Sequence, residues 1–166
     1  MSVRTDRLEF EDGRSWTAEV VEHRESMTVV AVREDGCICL VRQYRRPADE
    51  WLLETPAGSV DPGESAEASV NRELAEETGH KAHSVRYLGS FFLAPGWCTE
   101  YMHAYLATDL YPASAEPDED EVIDVVWMTQ TDWEREIREN RVRDSKSIAA
   151  WYLALPHLPA AAGERP

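Results

Sequence analysis

Two Asp-Gly pairs, Asp12-Gly13 and Asp35-Gly36, each interrupt a stretch in which apolar and polar residues alternate: "VRTDRLEFEDGRSWTAEVVEH" and "MTVVAVREDGCICLVRQYR". A period of two sends successive side chains to opposite faces of a strand. Asp-Gly supplies the positive φ that a tight hairpin turn demands. Each stretch is therefore expected as a pair of strands joined by a short turn.

Further strands are expected at Leu52–Glu54, Val85–Phe92, Met102–Ala107 and Val122–Trp127. Helices are fewer. Ser65 is placed to cap a helix from about Ala66 to Thr78, with Gly79 as its stop. Thr131 and Glu134 read as a capping box for a short helix reaching about Asn140. Asp144 would cap a last helix, "SKSIAAWYLAL", which Pro156 ends. "YPASAEPDEDE" reads as an acidic loop between strands and "PAAAGERP" as a frayed tail. A sheet between few helices implies α+β or an α/β sandwich.

At 166 residues the chain is expected to form one domain with a real core, and 43% hydrophobic content with six Trp and six Tyr argues against disorder. No apolar run approaches the roughly 20 residues of a membrane span. The start, "MSVRTDRLEF", lacks the apolar core of a signal peptide. Three cysteines, two of them on one expected strand, suit a reducing cytoplasm. The net charge of −15 argues against a nucleic-acid surface, which needs a basic footprint. A small phosphorylated substrate remains compatible where bound cations reverse the local field.

The charge is most concentrated in "RELAEETGH", Arg72 to His80. At 100° per residue, Glu76, Glu77 and Ser69 fall within about 60° of Glu73, beside an apolar row of Ala66, Val70, Leu74 and Thr78. Like charges at this spacing cost a lone helix roughly 0.2–0.5 kcal/mol per i,i+4 pair. Either this is a solvated acidic face on an acidic protein, or the carboxylates hold a hard divalent cation. Their place at the border of the buried stripe favours the cation.

The spacing around this helix is long and fixed. From Gly58 there are five residues to Glu64, seven more to Arg72, then Glu73, Leu74, Ala75, Glu76, Glu77, Thr78 and Gly79. This resembles the Nudix box, with all seven invariant-type positions matched; only the apolar residue usual after the last glycine differs, being His80. The resemblance implies a Nudix-type α/β/α sandwich with a mixed β-sheet. It implies that Glu73, Glu76 and Glu77 ligate metal directly or through water, with the carbonyl of Ala57 as a further ligand. Gly58 would let the backbone approach the metal, and Arg72 would orient Glu64 or a ligand carboxylate. Without that chemistry Arg72 is a surface salt bridge, worth about 0–1 kcal/mol.

The likeness extends over roughly Trp16 to Ala154. "RQYRRP", "ETPAG" and "APGWCTE", with Pro95 sixteen residues after Gly79, resemble the ADP-ribose pyrophosphatase branch of the family. For this branch the resemblance implies that Arg45 contacts the diphosphate, Glu54 the ribose, and the Pro95 segment the substrate. Arg45 as an ordinary edge-strand charge is the other reading. Glu121 would be the general base, with Glu119 in reserve. Residues 1–24 would be a β-hairpin extension that pairs two subunits and covers the site, residues 25–158 the catalytic domain, and residues 159–166 a flexible tail. Trp16 would either stack on the substrate's base, worth roughly 1–3 kcal/mol in nucleic-acid complexes, or pack in the core or a dimer contact. Trp97, Tyr101 and His103 divide between pocket and core in the same way.

The implied activity is Mg2+-dependent hydrolysis, with Mn2+ as a substitute, of the diphosphate bond in a nucleoside diphosphate sugar. The leading case is ADP-ribose to AMP and ribose 5-phosphate, in a cytoplasmic homodimer without nucleic-acid or membrane partners. Alternatives are a Nudix hydrolase of another nucleoside diphosphate compound, a non-catalytic module that senses ADP-ribose, and an acidic interaction protein. The sensing module would be expected to lose ligand glutamates, and none is missing.

Overall fold

The structure, a computed structural model, describes residues 1–115 and 122–158. Strands β1 (Ser2–Glu9) and β2 (Ser15–Glu22) form an antiparallel sheet of their own, with Leu8 opposite Trp16. Seven strands make the second sheet: β3 (Ser26–Val32), β4 (Ile38–Arg45), β5 (Glu50–Glu54), β6 (Ala57–Ser59), β7 (His80–Phe92), β8 (Tyr101–Pro112) and β9 (Ile123–Met128). Its main path runs β5-β4-β3-β8-β7, with β6 paired to β3 and β9 to β4. The helices are α1 (Ala66–Thr78), α2 (Gln130–Arg138) and α3 (Ser145–Ala154). No helix among the described residues is long and apolar enough to cross a membrane.

The second hairpin is paired only beside its turn, where Ala31 faces Cys39 and Val32 faces Ile38. Beyond that the strands part. β3 takes β8 as a parallel neighbour and β6 as an antiparallel one, while β4 pairs with β5 and β9. Every residue of β3 is buried, so "VVAV" is a strand covered on both faces and not one edge of a simple hairpin. β6 was not expected from the sequence. It sets Met27 opposite Gly58 and Thr28 opposite Ala57, which carries those two residues to α1.

The alternation of β3 feeds two cores. Val30, Val32, Ile38 and Leu40 pack with Trp133, Ala150 and Trp151 of α2 and α3. Met27, Val29, Ala31 and Cys39 pack with Val70 and Leu74 of α1. Burying a side chain such as Leu74 contributes about 1.5–3 kcal/mol. Helices on both faces of a mixed sheet make the expected α/β/α sandwich.

Two of the three expected helix starts hold. Ser65 accepts from the Ala68 N–H at 3.2 Å, and Asp144 from the Ser147 N–H at 3.0 Å. Gly79 closes α1 with φ 69°, a left-handed conformation that glycine adopts without a Cβ penalty. α2 begins earlier than expected: Thr129, not Thr131, is its cap, accepting from the Asp132 N–H at 3.1 Å. This register puts Trp133 fully into the core.

Candidate active site

Helix α1 turns Val70 and Leu74 into the sheet and leaves its acids at the edge of that contact. Glu77 is buried, and its Oε2 accepts from the Ala57 N–H at 3.1 Å. Glu73 and Glu76 line a cleft of about 600 Å³ together with Ala57, Gly58 and Ser59. A Cβ on Gly58 would lie 2.0 Å from the carboxyl carbon of Glu73. Glycine is required there by the close approach of the backbone to a carboxylate.

Arg72 ties the acids together. Its Nη1 donates to Glu73 at 2.8 Å and Glu76 at 3.0 Å; its Nη2 donates to Glu64 at 3.1 Å and the Ser59 carbonyl at 2.9 Å. Burial works against its charge, but hydrogen bonding to Glu64 and the field of Glu73 raise its pKa above the ordinary arginine value. In turn, Arg72 and then the Ser69 hydroxyl hold Glu64 below the usual carboxylate range. A guanidinium with four partners is more constrained than a lone surface pair.

Among the described residues, no three His, Cys, Asp or Glu side chains already form a closed cation cage. The donors nevertheless fit a hard divalent cation. They are oxygens, three are carboxylates on one rigid helix, and the missing Cβ of Gly58 lets the Ala57–Gly58 backbone come up to Glu73. A small, strongly hydrated cation keeps several water or substrate oxygens, so a partial protein cage suits it.

Cations stand on the cleft too. Arg45, Lys146 and Asp144 line it with the glutamates. Arg45 grips Glu54 in a bidentate pair, Nε to Oε1 at 2.8 Å and Nη2 to Oε2 at 2.7 Å. Lys146 donates to the same Oε2 and, at 2.9 Å, to Asp144. Burial pushes the Glu54 pKa up, but the Arg45 hydrogen bonds and the Lys146 charge outweigh it and hold the carboxyl below its ordinary value. Glu54 raises the Arg45 pKa in return.

Glu54, expected at the ribose, is engaged within the chain. It is 1% exposed, both its oxygens are ion-paired, and it supports Arg45, which lines the cleft. Trp16 and Pro95 do come together, but in a separate apolar cleft of about 380 Å³ with Leu8, Phe92 and Trp97. Within one chain Trp16 does not join the glutamates, because its hairpin meets the main body at Val21, bonded to Trp97 and Thr99. His103 is held between Ser90 at 2.9 Å and Glu25 at 3.0 Å, with Tyr101 edge-on to its ring. His80 packs edge-on to Trp127 where the box usually has an apolar residue. Glu119 and Glu121 lie outside the described residues.

Glu100 and Lys146 are among the lining residues that the sequence reading missed. Glu100 accepts from the Ser26 hydroxyl at 2.9 Å and lines the cleft; it closes the quoted "APGWCTE". Lys146 carried a fainter signal: a cation at the second position of a helix, where the helix dipole disfavours it.

The family model for the Nudix domain matches residues 22–152. A protein named methanol dehydrogenase activator from Bacillus methanolicus is 35% identical, the alignment covering 93% of this chain and 85% of that one. An ADP-ribose pyrophosphatase from Bacillus subtilis is 34% identical, covering 89% and 82%. A crystal structure of an ADP compounds hydrolase superposes with a TM-score of 0.83 at 29% identity, covering 93% of this chain and 84% of that one. Domain match, shared length and the spacing from Gly58 to Gly79 agree: this chain belongs to the Nudix hydrolase family.

Proposed function

We propose that the protein hydrolyses the diphosphate bond of a nucleoside diphosphate sugar, converting ADP-ribose to AMP and ribose 5-phosphate with Mg2+ or Mn2+. One observation carries this reading: a single cleft holds the carboxylates of Glu73 and Glu76 together with the cations Arg45 and Lys146. Acids suit metal and bases suit phosphate, so the cleft is complementary to a diphosphate with its cation. Nudix hydrolases generally need a divalent metal. Glu73, Glu76, Glu77 and the Ala57 carbonyl would hold it, and there it supplies neutralising charge for the diphosphate and a more acidic water.

The chain's own groups do the rest. The Arg45–Glu54 pair uses Nε and Nη2, and Nη1 has no hydrogen-bond partner among the described residues. Nη1 binds a diphosphate oxygen, a charge-assisted contact worth about 1.5–3 kcal/mol. Glu64 and Arg72 keep the α1 carboxylates oriented. Glu121, with Glu119 as the alternative, takes the proton as water attacks phosphorus and the bridging P–O bond breaks. The Bacillus subtilis relative's name, ADP-ribose pyrophosphatase, supports ADP-ribose as the substrate. Product chromatography over a panel of nucleoside diphosphate sugars tests the assignment. AMP and ribose 5-phosphate from ADP-ribose at the highest kcat/KM are expected; faster cleavage of another sugar would reassign the substrate.

The same reading makes the protein a cytoplasmic homodimer built through residues 1–24, with residues 25–158 as the catalytic domain. A two-stranded hairpin is marginal in water, and one face of this one exposes Leu8 and Phe10 by 48% and Trp16 by 55%. A second copy covers that face and brings Trp16 towards its neighbour's cleft. Light scattering at micromolar concentration should give a dimer, and deletion of residues 1–24 a monomer. A monomeric intact chain would contradict the assignment.

A further inference from the structure

Glu54, Lys146 and Asp144 form an ion-pair chain in the wall of the cleft, which Lys146 and Asp144 line, and stability alone does not account for it. Glu54 is 1% exposed and Lys146 7%. Desolvating such charges is costly, and apolar replacements of buried ion pairs are often neutral or stabilising. Lys146 also breaks a local rule, since a cation in the first turn of α3 opposes the helix dipole. Local rules are most often broken where a site demands it.

What the chain of charges achieves is orientation. Lys146 and Arg45 share Oε2 of Glu54, while Oε1 takes the Arg45 Nε at 2.8 Å. Asp144 offsets the Lys146 charge at 2.9 Å and caps α3 through the Ser147 N–H at 3.0 Å. The Ser147 hydroxyl accepts from the Thr55 N–H at 2.7 Å, and Thr55 meets Thr28 at 2.7 Å. The start of α3 is thereby pinned to the residue that follows Glu54 and to β3. A guanidinium half in solvent would otherwise sample many rotamers; here its Nε and Nη2 are fixed and its remaining nitrogen is directed by the fork's planarity.

We propose that Lys146 is a positioning residue for diphosphate binding, acting through Glu54 to fix the Arg45 guanidinium on the wall of the cleft. This rests on the reading that Arg45 meets the diphosphate. Lys146→Met removes the ammonium and keeps most of the stem, Lys146→Arg restores a cation, and Arg45→Ala removes the group that is positioned.

The experiment is a double-mutant cycle read twice: as kcat and KM for ADP-ribose with Mg2+, and as inorganic pyrophosphate binding by calorimetry, which needs no turnover. Lys146→Met should lower kcat/KM and pyrophosphate affinity about tenfold or more when Arg45 is present, and less than about twofold in the Arg45→Ala background. Lys146→Arg should recover most of the loss. A full loss from Lys146→Met in the Arg45→Ala background would make Lys146 an independent contact and overturn the proposal. So would a lowered melting temperature with unchanged pyrophosphate affinity, the mark of a purely structural lysine. If the wild type cleaves no ADP-ribose, the proposed substrate fails, while the pyrophosphate cycle still decides the role of Lys146.

Discussion

The acids of the matched motif, Glu64, Glu73, Glu76 and Glu77, come from a stretch of fourteen residues on one helix and the turn before it. Besides Arg72, the cleft carries Arg45 on β4 and Lys146 on α3, one hundred and one positions apart and joined through Glu54 on β5. The acidic side is local geometry: a 3.6-residue period places Glu73, Glu76 and Glu77 together once the helix forms. The cationic side exists only after the sheet and α3 have packed. One is organised by Arg72 on the same helix, the other by a buried carboxylate that two cations share.

Substitutions should separate the two sides by size of effect. On the acidic side, Glu77→Gln removes a proposed ligand while keeping an acceptor for the Ala57 N–H. Loss of a ligand worth several kcal/mol should lower kcat by about 10²–10³-fold. Steady-state kinetics giving an unchanged kcat would leave Glu77 a structural acceptor for the Ala57 N–H and not a ligand. Gly58→Ala should follow at about 10²-fold, because its Cβ must displace the Glu73 carboxylate by ångströms. The fold should survive, since the clash is with the end of a side chain; near-native activity would mean that Glu73 need not stand where it does.

Effects on the cationic side should be smaller. Arg45→Ala should cost about 10–100-fold in kcat/KM, the value of one or two charge-assisted hydrogen bonds. A loss as deep as that of Glu77→Gln would abolish the distinction between the two sides. The smallest effect is on stability against acid. Glu54 and Glu64 both sit below the ordinary glutamate pKa. A depressed carboxyl contributes stability that is fully present above its unfolded value, about 4.3, and is lost as pH falls through the folded pKa. Melting temperature should therefore hold from about pH 7 to pH 5 and decline below that. Glu54→Gln should flatten the decline more than Glu64→Gln, because two cations, Arg45 and Lys146, hold Glu54 ionised and one, Arg72, holds Glu64; equal slopes would remove that contrast.

The same division explains what could be read from the sequence. Ser65, Gly79 and the acids of α1 were legible because caps and helical period act within a few residues. The two Asp-Gly turns were legible for the same reason. The parting of β3 from β4 was not, since the parallel partner β8 enters from some seventy-five residues away and outcompetes the hairpin neighbour. Strand β6 was missed because "AGS" has no alternating pattern; it is a strand only because Met27 and Thr28 pair with it. The burial of Glu54 and its pairing with Lys146 were not legible, because nothing local distinguishes a buried carboxylate from an exposed one. The exception is the helix-dipole conflict at Lys146, a local signal of a distant partner.

The account stands most directly on one measurement: AMP release from ADP-ribose by protein stripped with EDTA, followed as free Mg2+ is restored. Activity should be absent in EDTA and should rise with Mg2+ to a plateau, with Mn2+ able to replace it. Full hydrolysis in EDTA would contradict the metal reading of Glu73, Glu76 and Glu77.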